Sequence, residues 1–220
     1  MIKDIVLLID TTYWKRDFGV MLFKDYMTGE NLLKYYVKYE SNLLYLKGIY
    51  ELSKQGFCIK AVICDRRKGL IKKIHTPVQL CQFHQTKTIQ RYLSKRSQIP
   101  AIKDLWIITN LLTESTETQF KGYLGQWLDK WEDYYNERSI NLETGKSSYT
   151  HRRLRSAFRS LNLNTNLPYL FTYQKYPDLK IPNTSNKIEG NFSFLKQKLR
   201  YHNGLNLTQK YKMIDEILGC

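Results

Sequence analysis

Two apolar runs, each closed by an aspartate, constrain this chain more than any other feature. Ile5-Val-Leu-Leu-Ile9 is followed by Asp10, and Ile59-Lys-Ala-Val-Ile-Cys64 by Asp65. The first run, wholly β-branched and leucine, reads as a central strand buried on both faces. Between the two runs lies a helical pattern. Ser41 can cap it, Leu43, Leu44, Leu46, Ile49, Tyr50 and Leu52 recur at the helical period, and Gly56 terminates it. A strand–helix–strand order with a helical crossover places the two runs parallel. As neighbours, they would bring both aspartates out at one edge of the sheet, where functional groups of α/β folds collect.

The remaining elements fill in around this pair. Phe18 to Lys24 and Lys34 to Tyr39 read as strands joined through a turn at Thr28-Gly29, so the first three strands form an antiparallel meander. Gly69 to Lys73 reads as a short helix, Val78 to Cys81 as a fifth strand, and 85–96 as a helix carrying Lys87, Arg91, Lys95 and Arg96. Beyond 96 the character changes. Residues 101–112, 117–137 and 150–161 read as helices, 167–173 is ambiguous, and Lys175 to Pro182 reads as loop. A last helix opens after Pro182 and runs to about Arg200. This order is the ribonuclease H-like α/β arrangement: a mixed five-stranded sheet of three antiparallel strands and then helix-linked strands. The expected division is 1–96 for the first part of the core, 97–182 for a helical insertion, and 183–220 for the final helix and a C-terminal tail.

Charge narrows the partner. The chain carries 35 Lys and Arg against 20 Asp and Glu, a formal net charge of +15, which calls for an anionic partner. Seventeen tyrosines and four tryptophans interleave with the basic residues, and this favours nucleic acid over lipid, because bases stack on rings while phosphates pair with cations. Ile5 to Ile9 is too short for a membrane span or a signal-peptide core, so no membrane association and an intracellular location are expected. Four cysteines, Cys58, Cys64, Cys81 and Cys220, do not make a disulfide framework.

Two carboxylates at one sheet edge repel each other unless cations lie between them. Mg²⁺ takes oxygen ligands, and two such ions can activate an attacking oxygen and stabilise a leaving one at a phosphodiester. Glu189 is the candidate third carboxylate. Asn186-Lys-Ile-Glu189 fits a capping box equally well, with Asn186 as N-cap. Cys81 and His84 could form half of a zinc site or be structural. No second Cys/His pair lies at suitable spacing, so zinc is disfavoured. Lys196 stands two helical turns after Glu189, with Arg200, Lys187 and Lys198 nearby, which makes either a phosphate-binding face or a solvated one. His151-Arg-Arg-Leu-Arg155 and Arg159, with Arg152 among them, form a second basic stripe open to the same two readings. Trp127 and Trp131, at i and i+4, are core residues or offer a ring to a base at a distorted DNA end.

Three segments carry a family resemblance. Asn183-Thr-Ser-Asn-Lys-Ile-Glu189-Gly-Asn-Phe-Ser-Phe-Leu-Lys196 closely resembles the segment bearing the catalytic glutamate of DDE transposases of the IS256 and Mutator-like group. Leu8-Ile-Asp10-Thr-Thr resembles their first catalytic aspartate, and Cys64-Asp65-Arg-Arg-Lys-Gly-Leu70 their second, with Arg66 standing where the group usually has Gly. Val78-Gln-Leu-Cys81-Gln-Phe-His84 resembles their Cys-x-x-His motif. The match spans about 5–96 and 183–205. The resemblance implies that Asp10, Asp65 and Glu189 hold two Mg²⁺ or Mn²⁺ ions, hydrolyse a phosphodiester at an element end, and pass the freed 3′-OH to target DNA. It also implies that His84 lies near the metal site on a DNA phosphate. Candidate DNA contacts are then Lys196, Arg200, Lys187, His84, Arg66, Arg152, Arg155 and Trp127. It further implies homo-oligomers on DNA, a bacterial, nucleoid-associated setting if the chain serves an insertion sequence, and a separate end-recognition domain, since the chain starts almost at its first catalytic strand. A non-catalytic DNA-binding derivative, or a nuclease that cuts without joining, are the alternatives.

Overall fold

The computed structural model describes residues 2–15, 17–162 and 166–220. The central strand β1 (Lys3–Trp14) pairs antiparallel with β2 (Phe18–Asp25), which pairs antiparallel with β3 (Asn31–Val37). On its other edge β1 runs parallel to β4 (Phe57–Cys64), and β4 parallel to β5 (Val78–Leu80). The spatial order β3-β2-β1-β4-β5 is the mixed ribonuclease H-like sheet expected from the sequence.

Successive side chains of a strand point to opposite faces, and β1 uses both. Ile5, Leu7 and Ile9 enter one core with Met21, Phe23, Val62 and Cys64. Val6 and Leu8 enter the other with Val20, Leu22, Ala61 and Ile63. Only an unbroken apolar run satisfies two covered faces, which is why the segment does not alternate with polar residues.

The first face is covered by α1 (Asn42–Lys54). Ser41 caps it, its side chain accepting from Leu44 N, and Gly56 turns the chain out of it at φ +92°. The same core continues without a break into residues 97–182. These form α3 (Pro100–Asn110), α4 (Glu117–Asn136), α5 (Arg152–Asn162) and two single-turn helices, α6 (Leu167–Leu170) and α7 (Thr172–Lys175). Between β5 and this region lies α2 (Gln82–Tyr92). Buried polar side chains fasten the region to the sheet. Gln79 and Gln82 each donate from Nε2 to the Leu170 carbonyl at 2.9 Å, and Thr172 Oγ1 donates to the Val78 carbonyl at 2.6 Å. Left unpaired, any of these buried groups would cost about 1–3 kcal/mol.

The second face is covered by α8 (Asn186–Tyr201) and α9 (Leu207–Leu218). The tail expected after the last helix is thus itself helical. Asn206 and Gln209 form its capping box and Gly219, at φ +68°, ends it. A small hairpin, β6 (Arg138–Ile140) and β7 (Ser147–Tyr149), joins α4 to α5; three-residue strands are too short to show a period in sequence. The strand read as ending at Asp10 runs on to Trp14, because β2 continues to pair with it after β4 has stopped. The basic helix expected over 85–96 begins at Gln82 and ends at Tyr92.

One packing contact gives a test of sign. Gly48, inside α1, faces the fully buried Phe23 ring, and a Cβ there would stand 2.2 Å from a ring carbon. Gly→Ala normally stabilises a helix by about 1 kcal/mol. Here overpacking outweighs that gain, and Gly48→Ala is expected to lower the urea unfolding free energy by about 1–3 kcal/mol; an unchanged or higher midpoint contradicts this packing.

Candidate metal centre

Asp10 continues the Val6–Leu8 face of β1, towards α8. Leu8 pairs with Ile63, so two residues further on Asp10 comes level with Asp65, where β4 has ended. Near this edge α2 contributes His84 and the first turn of α8 contributes Glu189. His84 Nε2 lies 2.8 Å from Glu189 Oε1 and 3.9 Å from Asp10 Oδ2. Among the described residues these three are the group whose ligand atoms all fall within 4.8 Å of one another.

The α8 helix reaches this position through a buried dock. The backbone N–H and the hydroxyl of Ser185 both donate to Cys81 Sγ, at 3.3 and 3.1 Å. Gln82 N donates to the Asn183 carbonyl at 2.9 Å, and Asn183 Nδ2 returns to Gln82 Oε1 at 3.0 Å. The Cys81-x-x-His84 spacing thereby has a physical reading. Cys81 holds the entry of α8 while His84, one helical turn on, meets the carboxylate that α8 presents. Cys81 lies outside this trio, and its hydrogen-bond partner is Ser185.

The capping-box reading of Glu189 does not hold. Ser185, not Asn186, is the N-cap of α8, no side chain caps the helix, and the Glu189 carboxylate is hydrogen-bonded to His84. The positive end of the helix still favours a carboxylate in this turn.

The protonation pattern follows from crowding. Burial pushes the Asp10 carboxyl well above the usual carboxylate range; His84 opposes this and Glu189 reinforces it. The hydrogen bond from His84 holds Glu189 below its ordinary value, against burial, with Asp10 and Lys196 helping. For His84, burial disfavours the charged ring. Cys81, Glu189 and Asp10 together outweigh it and raise the pKa to about 11. Its buried Nδ1 makes no hydrogen bond of good geometry, so the Cys81 effect is one of proximity. These surroundings favour the neutral form of Asp10 and the charged form of the His84 ring. Two carboxylates crowded into a part-buried site are a donor set whose repulsion and desolvation a divalent cation would relieve.

Asp65 stands apart from the trio. Its Oδ1 accepts from Arg66 N at 2.6 Å, and it lines a cavity of about 270 Å³ together with Asp10. The sequence did not point to three further residues of that cavity, Glu40, Tyr45 and Arg67. Thr11 Oγ1 pairs with Tyr45 OH at 2.7 Å, Tyr45 OH donates to Glu40 Oε2 at 2.9 Å, and Arg67 closes on Glu40 at 2.7 Å. Of the three, Arg67 alone lies in a segment singled out by resemblance, Cys64 to Leu70.

The candidate DNA contacts separate into groups. Lys196 and Arg200 are exposed on α8, and Lys196 acts electrostatically on Glu189. Lys187 donates to the Tyr26 carbonyl at 2.6 Å and lies over the Tyr26 ring. Arg152 and Arg66 are exposed. Arg155 donates to the Tyr135 carbonyl at 2.6 Å and lies against the rings of Tyr135 and Tyr149. Trp127 corrects the base-stacking reading. It is 2% exposed, stacks on Phe158 at 4.7 Å, and donates its indole N–H to the Ala101 carbonyl. Its helical spacing reflects packing. No helix among the described residues is long and apolar enough to cross a membrane.

No family model matches the chain, and no curated protein does. Among solved structures it is similar to the catalytic core domain of BIV integrase, at 11% identity over 79% of this chain and 97% of that one, with a TM-score of 0.29. It is also similar to the HTLV-2 integrase catalytic core domain in complex with magnesium, at 14% identity over 71% of this chain and 97% of that one, with a TM-score of 0.27. The fold class rests on the strand order and directions.

The pKa pattern has a direct readout. A His whose folded pKa is raised stabilises the fold fully below its ordinary 6.5 and loses that contribution as pH rises towards about 11. In cation-free protein the His84 ring is expected to remain protonated at pH 8 by NMR, and Glu189→Gln to bring its midpoint down towards 6.5. A midpoint near 6.5 in the unaltered protein would remove the electrostatic pairing described here.

Proposed function

We propose that the chain is the catalytic part of a DDE-type transposase, which cleaves a phosphodiester at a transposon end and joins the freed 3′-OH to target DNA. The observation that carries this reading is the meeting of Asp10 and Glu189, from β1 and α8, at the edge where Asp65 lies level with Asp10. Carboxylates brought from separate segments to one sheet edge are the arrangement that divalent-cation phosphoryl transfer needs. Asp10, Asp65 and Glu189 would hold Mg²⁺ or Mn²⁺, two ions in the full site. When bound, the cations supply positive charge at the attacking and departing oxygens of the phosphodiester.

The protein's own groups do the rest. His84 donates to Glu189 and fixes the direction of its carboxylate, in the way that ligating carboxylates are commonly held by hydrogen bonds from behind. Through this contact His84 serves as an orienting group for the carboxylate. Lys196 and Arg200 face solvent along α8 and are placed to meet phosphates. Burial of Asp10 and Tyr45 keeps bulk water from one wall of the site, which strengthens each charge interaction there. The joining step is supported by the resemblance of the segment around Glu189 rather than by the geometry.

A pre-cut DNA end incubated with a plasmid target in Mg²⁺ or Mn²⁺ tests the reading. Asp10→Ala, Asp65→Ala and Glu189→Gln are each expected to lose cleavage and joining by at least about a hundredfold while still binding DNA. Normal joining by Asp65→Ala would refute the triad, nicks without joined product would make the protein a nuclease, and binding alone would leave a non-catalytic DNA-binding protein.

A further inference from the structure

A cluster of arginines lies where the sheet edge meets the 97–182 region. A cleft of about 380 Å³ there is lined by Arg66, Arg152, Arg155 and Arg159, with Tyr92 and Ser156 among its other walls. None of its lining residues is acidic. Two distant parts of the chain build it: Arg66 directly follows Asp65, whereas the other three arginines lie on α5.

The arginines differ in role. Arg155 is a fixed wall, held by the Tyr135 carbonyl, the Asn136 side chain and the two tyrosine rings. Arg152 and Arg159 are exposed, and their spacing of seven residues puts them on one face of α5, roughly 10 Å apart along the axis. The base of the cleft is rigid, because Gln85 of α2 donates to Ser160 of α5 at 3.0 Å inside the protein. A concave surface lined by one sign of charge focuses its field outward and concentrates anions. Guanidinium groups present planar forks of donors that match the geometry of phosphate oxygens.

We propose that this cleft clamps the phosphate backbone of a DNA strand next to the stretch held at the Asp10–Glu189 centre, with Arg152 and Arg159 each neutralising one phosphate. The proposal rests on the reading of the chain as a DNA-cutting enzyme, and it adds a binding site on the 97–182 region together with the path of the strand. Because Arg66 adjoins Asp65, a strand in the cleft continues into the carboxylate site without leaving the protein surface.

The test is the salt dependence of binding, by fluorescence anisotropy of a labelled DNA duplex in chelator, so that no cleavage intervenes. Three proteins are compared with the unaltered one: Arg152→Ala/Arg159→Ala, Arg152→Lys/Arg159→Lys, and the charge-matched control Lys3→Ala/Lys54→Ala, which changes the start of β1 and the end of α1. The alanine pair is expected to lose about 1.8 from the slope of log K against log salt, and on the order of tenfold in affinity at 0.1 M salt. The lysine pair should keep the slope and the control should match the unaltered protein. An alanine pair with an unchanged slope, or with a loss equal to that of the control, overturns the clamp. So does an unaltered protein that binds inorganic phosphate through these arginines but not DNA. A changed slope in a protein that never cuts DNA would uphold the clamp and refute the catalytic reading, so the two fail separately.

Discussion

The structure depends on β1 being covered on both faces and paired on both edges. Its odd residues from Ile5 to Ile9 pack towards α1 and the 97–182 region, and Val6 and Leu8 towards α8 and α9. Nothing polar can interrupt such a strand until the flanking β4 stops. The first polar side chain after the run is Asp10, and it emerges where the parallel pairing ends. Burial of this strand is therefore the cause of the unusual state of Asp10: a carboxyl at the rim of a double-sided core is stripped of water on most sides.

Two kinds of buried polar contact turn that rim into a site. One is the dock between the start of α2 and the start of α8, through Cys81, Gln82, Asn183 and Ser185. It sets where Glu189 sits and leaves His84 to steer it. The other is the pair of glutamines that grip the Leu170 carbonyl and fix residues 97–182 to β5 and α2. That attachment brings α5 beside Arg66 and so forms the arginine cleft. The carboxylate centre and the cleft thus depend on the same short stretch, 79–84, read from its two sides.

Much of this was legible in the residues. Strand order, the α1 cap at Ser41 and the level of Asp10 with Asp65 all follow from local pattern and the crossover rule. The Asn206-x-x-Gln209 box also marks the start of α9, within the segment expected to be tail. Trp127 shows the limit of periodicity: an i, i+4 pair of rings says that one helix face is aromatic, and cannot say whether protein or solvent lies against that face.

The sequence by itself determined the sheet, its order and the edge at which two carboxylates appear, because alternation, capping and crossover handedness are local or short-range properties of the chain. The tertiary structure alone decided that Glu189 meets His84 instead of capping its own helix, that Cys81 serves as an acceptor for a segment 104 positions away, and that Arg66 shares a cleft with α5. These are contacts between segments far apart in the chain, and their partners are chosen by which faces must be buried together, which no local spacing encodes.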